Sequence, residues 1–206
     1  TNKYYVNTTY TETGVYNYNI WVKDLSNNSN MSSKYYFIIG TNFTIIPMVA
    51  GWNLITIPVE DNWMASDLES NLYGCTSVVK WIPDSQSYWF YIPGYPAFDF
   101  PLLPGHGYFV EMDNADTLYL LGDPIVDVNV SLEIGWNLLG WFAAENTTAS
   151  SLCTNISGCT SVVKWIPDSQ SYWFYIPGYP AFDFPISQGM SVFVEVNQAS
   201  YWHGEG

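Results

Sequence analysis

A mainly β fold, built from two tandem β-rich repeats that each carry one short helix, is predicted by three observations. Residues 74–101, GCTSVVKWIPDSQSYWFYIPGYPAFDFP, recur unchanged as residues 158–185, 84 positions further along the chain. The flanks keep that register: Gly51-Trp52-Asn53-Leu54 returns as Gly135-Trp136-Asn137-Leu138, and Phe109-Val110-Glu111 returns as Phe193-Val194-Glu195. Between turn residues, the chain runs in short segments rich in Val, Ile, Tyr, Trp and Phe, which is a strand signal. Repeats more often build surfaces and assemblies than single catalytic centres.

Each repeat reads the same way. Residues 51–58 predict a short strand closed by Pro58, which cannot donate to a ladder. Ala65, Leu68 and Leu72, matched by Ala149, Leu152 and Ile156, give one apolar helical face at i, i+3 and i+7. The face persists while its polar side changes, so it is expected to be packed. Residues 77–82 and 87–92 predict a hairpin around Pro83-Asp84-Ser85-Gln86, where proline presets a turn dihedral and Asp or Ser bonds the local backbone. A Pro-Gly-Tyr-Pro loop follows. The repeat closes with Pro104-Gly105-His106-Gly107 leading into Tyr108-Phe109-Val110-Glu111, then a strand over 117–121. Unit one is expected over residues 47–124 and unit two over 125–206. Side by side they would form a pseudo-twofold pair of small sheets or barrels that presents the identical hairpins twice.

Residues 10–24, an Asn/Ser-rich turn and residues 34–39 alternate like a hairpin of an antiparallel sandwich. The run Tyr10-Thr11-Glu12-Thr13-Gly14, then a strand ending at Asp24, resembles the closing strands of an immunoglobulin-like, polycystic-kidney-disease-type surface domain. The resemblance implies a partial N-terminal immunoglobulin-like β-sandwich over residues 1–46. Likewise, the Gly-Trp-Asn-Leu opening, the Val-Val-Lys-Trp strand, the Pro-Gly-Tyr-Pro loop and the Pro-Gly-X-Gly-Tyr-Phe-Val ending resemble tandem-repeat modules of exported archaeal and bacterial surface proteins. That resemblance covers residues 47–206 and implies a cell-surface location and a structural role. The second copy departs from the ending, with Ser191 for the second glycine and Val192 for the tyrosine.

Composition excludes some partners. Five basic and nineteen acidic residues give a formal charge of -14. Such a surface has almost nothing with which to displace the counterions of a phosphate backbone, so neither nucleic acid nor an anionic membrane is an expected partner. No apolar run approaches the roughly 20 residues of a membrane span. Seven Asn-X-Ser/Thr sequons, at Asn7, Asn27, Asn30, Asn42, Asn129, Asn146 and Asn155, point to an exported, glycosylated chain. No signal peptide precedes Thr1, so a processed or excised piece of a secreted protein is expected.

The cysteine count is odd. Cys75 and Cys159 are equivalents, whereas Cys153 stands where unit one has Glu69. A Cys153–Cys159 disulfide with Cys75 as a buried thiol ranks ahead of three buried thiols. Neither CxxC nor Cys/His metal spacing occurs.

The chemical candidates are few. His106 stands where unit two has Met190 and reads as a solvated loop histidine, and His203 is the only other imidazole. The repeated acids are Asp84/Asp168 in a turn, Asp99/Asp183 as hydrogen-bond acceptors or ligands, and Glu111/Glu195 on a strand. Nothing sets any two of them as a glycosidase pair across a cleft. No nucleophile elbow, phosphate loop or metal helix is present. Calcium is the one cofactor with a candidate cluster, Asp113, Asn114 and Asp116, but unit two replaces these with Asn197, Gln198 and Ser200, and a plain turn is the favoured reading.

The aromatic set carries the functional expectation. Trp81, Tyr88, Trp89, Tyr91, Tyr95 and Phe98, repeated as Trp165, Tyr172, Trp173, Tyr175, Tyr179 and Phe182, place rings on both faces of a hairpin. One face must be core. The other is either an apolar patch for a partner subunit or a stacking platform for sugars. The expected role is a structural subunit of an extracellular assembly, such as a surface layer, sheath or filament, in which subunits self-associate, with strand addition between them. The competing expectation is an adhesin or carbohydrate-binding module. No catalytic residue and no resident cofactor are expected.

Overall fold

The computed structural model describes residues 8–40 and 42–204. The fold is mainly β, with antiparallel pairing in every ladder and two short helices. β1 (Gly14–Tyr18) pairs with β4 (Tyr35–Ile39), and β2 (Trp21–Lys23) with β3 (Ser29–Met31). Asp24 shapes the β2–β3 turn by accepting the amides of Ser26 and Asn28. Asn27, in the left-handed region at φ 68°, completes it. Cross-strand rings line the first ladder, with Tyr16 stacked on Phe37 and Tyr18 on Tyr35. The β2–β3 hairpin has no core beneath it: Ile20, Trp21, Val22 and Met31 all stay exposed. This part meets the rest of the chain at β10, where Tyr36 stacks on Tyr119 with centroids 4.9 Å apart and Gly40 lies against Leu121.

β5 (Phe43–Met48) runs across positions 46 and 47, where the sequence suggested a boundary, and pairs with β10 (Asp116–Leu121). Between them lie β6 (Gly51–Ile55), α1 (Ala65–Ser70), β7 (Cys75–Ile82), β8 (Ser87–Tyr91) and β9 (Tyr108–Met112). β6, β9, β7 and β8 form a four-stranded sheet in that order. The chain then repeats the plan. β11 (Val130–Leu132) pairs with β18 (Ser200–Trp202) as β5 does with β10. β12 (Gly135–Gly140), β17 (Ser191–Val196), β14 (Cys159–Ile166) and β15 (Ser171–Tyr175) form the second four-stranded sheet. β13 (Thr147–Thr148), α2 (Ala149–Asn155) and β16 (Pro185–Ile186) fill the connections. The expected hairpin is thus β7–β8, and the expected helix begins at Ala65 and Ala149.

Each sheet covers a core on one side. Val78, Tyr91, Val110 and Met112 pack with Leu68 and Leu118 in the first, and Val162, Tyr175, Val194 and Val196 with Leu152 and Leu132 in the second. The opposite faces pack on each other: Leu54, Val79 and Phe109 meet Leu138, Val163 and Phe193, edged by Trp52, Trp81, Trp136 and Trp165. The central strands are therefore buried on both faces, which is why Val78-Val79 and Phe109-Val110 read as apolar runs and not as alternation. Each such side chain contributes about 1.5–3 kcal/mol by leaving water.

The Gly-Trp-Asn-Leu opening has a local cause. Asn53, 2% exposed, accepts the Val49 amide through Oδ1 and donates through Nδ2 to the carbonyls of Val49 and Gly51. Asn137 does the same with Glu133 and Gly135. Gly51 and Gly135 supply the positive φ, +92° and +103°, that this entry needs.

Candidate functional site

The repeated hairpins meet at a seam, and equivalent residues face one another along it. Tyr88 and Tyr172 line the same clefts there, and the ring centroids of Phe109 and Phe193 lie 6.1 Å apart. Burial, with Tyr172 alongside, pushes the Tyr88 phenol up to about 12; burial also raises that of Tyr172.

Each hairpin tip reaches across to the other unit. Trp81 Nε1 donates to Trp136 O, and Trp165 Nε1 donates to Trp52 O, both at 2.7 Å. Gln86 and Gln170, in the left-handed region at φ 48° and 49°, accept the amides of Trp136 and Trp52 at 2.9 Å. Their Nε2 atoms return bonds to the same residues' carbonyls at 3.0 Å. A Cβ on Gly51 would stand 2.9 Å from Gln170 Oε1, so the glycine also makes room for the amide.

Two clefts flank the tyrosine pair, each of about 180 Å³. One is lined by Trp81, Trp136, Val163, Phe174, Phe193 and both tyrosines. The other is lined by the equivalents Trp165, Trp52, Val79, Phe90, Phe109 and the same tyrosines. Outside them, a hollow of about 610 Å³ lies among Tyr88, Trp89, Phe90, Ile92, Tyr95 and Phe98. It runs along β8, an edge strand of its sheet, as β15 is of the other.

The structure thereby sorts the aromatic candidates. Trp81, Tyr88, Trp165 and Tyr172 serve the seam within the chain. Tyr91 and Tyr175, 6% and 7% exposed, are core residues with no face for a partner, because the strand turns them onto the α1 and α2 side. Trp89, Tyr95, Phe98, Trp173, Tyr179 and Phe182 remain exposed. Trp89 and Trp173 commit their indole N–H groups to Phe98 O and Phe182 O, which braces the loop after each hairpin. Sequence reasoning missed Gln86, Gln170, Phe90 and Phe174; the glutamine was visible only as the fourth residue of a repeated turn.

The carboxylates are dispersed. Asp99 accepts the Ser66 amide and hydroxyl at 3.1 and 2.6 Å and the Phe100 amide at 2.9 Å, anchoring the first turn of α1. Asp183 does the same with Ser150 and Phe184. Burial pushes the Asp183 carboxyl up, but the bonds from Ser150, Phe184 and Thr148 outweigh it and hold it below the usual carboxylate range. Glu111 and Glu195 accept from Thr76 and Thr160 of the neighbouring strand. Asp84 and Asp168 lie in the 3-10 turns at the hairpin tips.

His106 is half-buried and not a solvated loop residue, because its loop pairs with Leu139 of the other unit and its carbonyl accepts from Thr56 Oγ1. Burial, with help from Lys80, lowers its imidazole below the usual range against a bond to Pro104 O. Asp116 accepts the Tyr73 amide and Asp113 donates its amide to Gly74 O, so with Asn114 they form a turn. Among the described residues no group of three or more His, Cys, Asp or Glu is placed to hold a metal.

Cys153 and Cys159 are joined by a disulfide, and Cys75 is a buried thiol that burial pushes up to about 12. Asn27, Asn30, Asn42, Asn129, Asn146 and Asn155 are exposed, and Asn7 lies outside the described residues. No helix among the described residues is long and apolar enough to cross a membrane. No protein-family model, curated protein or solved structure matches the chain.

Proposed function

We propose that this chain is a structural subunit of an extracellular assembly, a surface layer, sheath or filament, and that copies associate through the outer edges of β8 and β15. In this reading residues 47–124 and 125–206 are tandem surface-protein repeats, and residues 1–46 are strands of an immunoglobulin-like domain. The single observation that carries it is the pairing of exposure with neutrality. Residues 87–98 and 171–182 contain no charged side chain in a chain of charge -14, yet expose Phe90 on an edge strand and Ile92, Tyr95 and Phe98 in the loop that follows it, as they do the equivalents in the second copy. Like-charged copies repel wherever acids meet, so the uncharged apolar edges are where a second copy fits.

Two further features support the reading. Each described sequon asparagine is exposed, and none falls within either copy of residues 74–101, so glycans would leave the aromatic edges bare. The uncovered apolar residues of the β2–β3 hairpin suit strand addition by a neighbouring subunit. A glycan-binding module is the second reading, favoured by the 610 Å³ hollow beside the exposed rings of Trp89 and Tyr95.

Negative-stain imaging beside light scattering of the native glycosylated material tests the proposal. Ordered fibres or sheets are expected, and the variant I92K/Y95K/I176K/Y179K should remain monomeric with its melting temperature preserved. A native chain that stays monomeric at high concentration, while soluble polysaccharide quenches its tryptophan fluorescence, would replace the structural reading with the glycan one.

A further inference from the structure

Two more pairs of equivalent residues meet where the units face each other. Thr56 meets Gly140 and Gly107 meets Ser191, each pair 84 positions apart. In both, one unit supplies a small hydroxyl side chain and the other supplies none. Neither glycine has a positive φ, so the backbone does not require it. Close approach does. A Cβ on Gly107 would lie 2.7 Å from Ser191 Cβ and 2.8 Å from Leu138 Cγ. A Cβ on Gly140 would press into the Thr56 side chain and lie 2.5 Å from His106 O. Thr56 is 0% exposed and Ser191 2%, so neither can swing out into solvent. The pairs are crossed: unit one brings Thr56 and Gly107, unit two brings Gly140 and Ser191.

We propose that the seam is a selective docking surface on which unit one fits unit two and neither unit fits a copy of itself. Two unit-one faces would set threonine against threonine at one point and leave glycine opposite glycine at the other. Two unit-two faces would collide at serine and leave a void at position 140. Only the mixed pair fills each space once, and packed interiors penalise both excess and missing volume. Of the other pairs along the seam, Tyr88 with Tyr172 and Phe109 with Phe193 are the same residue on both sides and accept either pairing, whereas Ile55 with Met190 and His106 with Leu139 differ between the units but join through backbone bridges. The steric part of the selectivity rests on these four positions, where a Cβ on either glycine has no room. It closes the seam against like units of other chains, whether or not the chain assembles through its outer edges.

The full chain tests this with three variants. G140T/S191G makes unit two resemble unit one, T56G/G107S makes unit one resemble unit two, and T56G/G107S/G140T/S191G exchanges the two sets. If the four positions act independently, the quadruple variant carries all four penalties and melts lowest. Selective pairing instead expects each double variant to lose about 5 °C or more in melting temperature and the quadruple variant to recover most of that loss. A double variant that fails to fold while the quadruple variant folds also supports the proposal. A quadruple variant that melts at or below either double variant, or fails to fold, overturns it.

Discussion

Gln86 and Trp136 hold each other from both ends of one peptide frame: the Gln86 side-chain oxygen accepts the Trp136 amide at 2.9 Å, and its nitrogen donates to the Trp136 carbonyl at 3.0 Å. A side-chain amide thus does what a neighbouring strand would do. The left-handed φ of 48° turns Gln86 out of its own hairpin and toward the other unit. Gln170 repeats the arrangement with Trp52. Removing one amide should cost the bonds but not the seam. Gln86→Ala is expected to lower unfolding stability by about 1–2 kcal/mol, with Gln170→Ala costing a similar amount. Urea denaturation checks both, and a loss confined to one of them would break the equivalence of the two tips.

The tyrosine pair gives the seam an alkaline limit. Both phenols are raised by burial, Tyr88 to about 12. A raised acid keeps its proton longer in the folded chain than in the unfolded one. Its contribution is therefore complete below the ordinary tyrosine range near 10 and is lost as pH rises toward 12. Absorbance titration at 295 nm should show two late-ionising tyrosines fewer in Y88F/Y172F, and that variant's stability should fall less steeply above pH 10. Identical alkaline profiles for the two proteins would count against a partly desolvated pair.

The cysteines divide the units. Cys153 and Cys159 close a loop of six-residue separation in unit two alone. Chain entropy for so short a loop gives about 2 kcal/mol, so C153A/C159A should be destabilised by about that amount. In the native chain Cys75 is buried with its thiol held protonated up to about 12, and should resist thiol reagents at pH 8 until denaturant is added. Rapid labelling of the native chain would place that cysteine in solvent.

Local pattern made some elements legible and tertiary contact concealed others. Pro83 and Asp84 marked the hairpin tip, and the spacing of Ala65, Leu68 and Leu72 marked α1, because each signal is complete within a few residues. Ser191 in place of Gly107 read only as a departure in one copy. Its meaning depends on the two residues touching, which no local pattern carries. Rings on both faces of β8 read as one core face and one outer face. Of the β8 rings only Tyr91 is core; Tyr88 and Phe90 border the seam clefts and stay exposed, as does Trp89. The odd cysteine in unit two was a one-position change whose partner was one turn away, so it could be read without the fold.

Asp99 and Asp183 offered the clearest alternative between chemistry and architecture, since a carboxylate between two phenylalanines suits either a ligand or a buried acceptor. Their bonds to Ser66 and Ser150 decide it: each carboxylate has its oxygens on the first turn of a helix that packs on its sheet. For Asp183 those bonds hold the carboxyl below the usual range, which fixes the sign of the acid response. A depressed acid contributes its full stability above the unfolded value near 3.8, and the contribution is lost as pH falls through the folded value. Asp183→Asn should therefore be less stable than the native chain at neutral pH, and the gap should narrow as pH falls below the unfolded value near 3.8 and the native carboxyl takes up its proton. Melting temperatures of the two proteins across that range make the comparison, and a gap that is constant with pH would mean that Asp183 acts through packing and not through its charge.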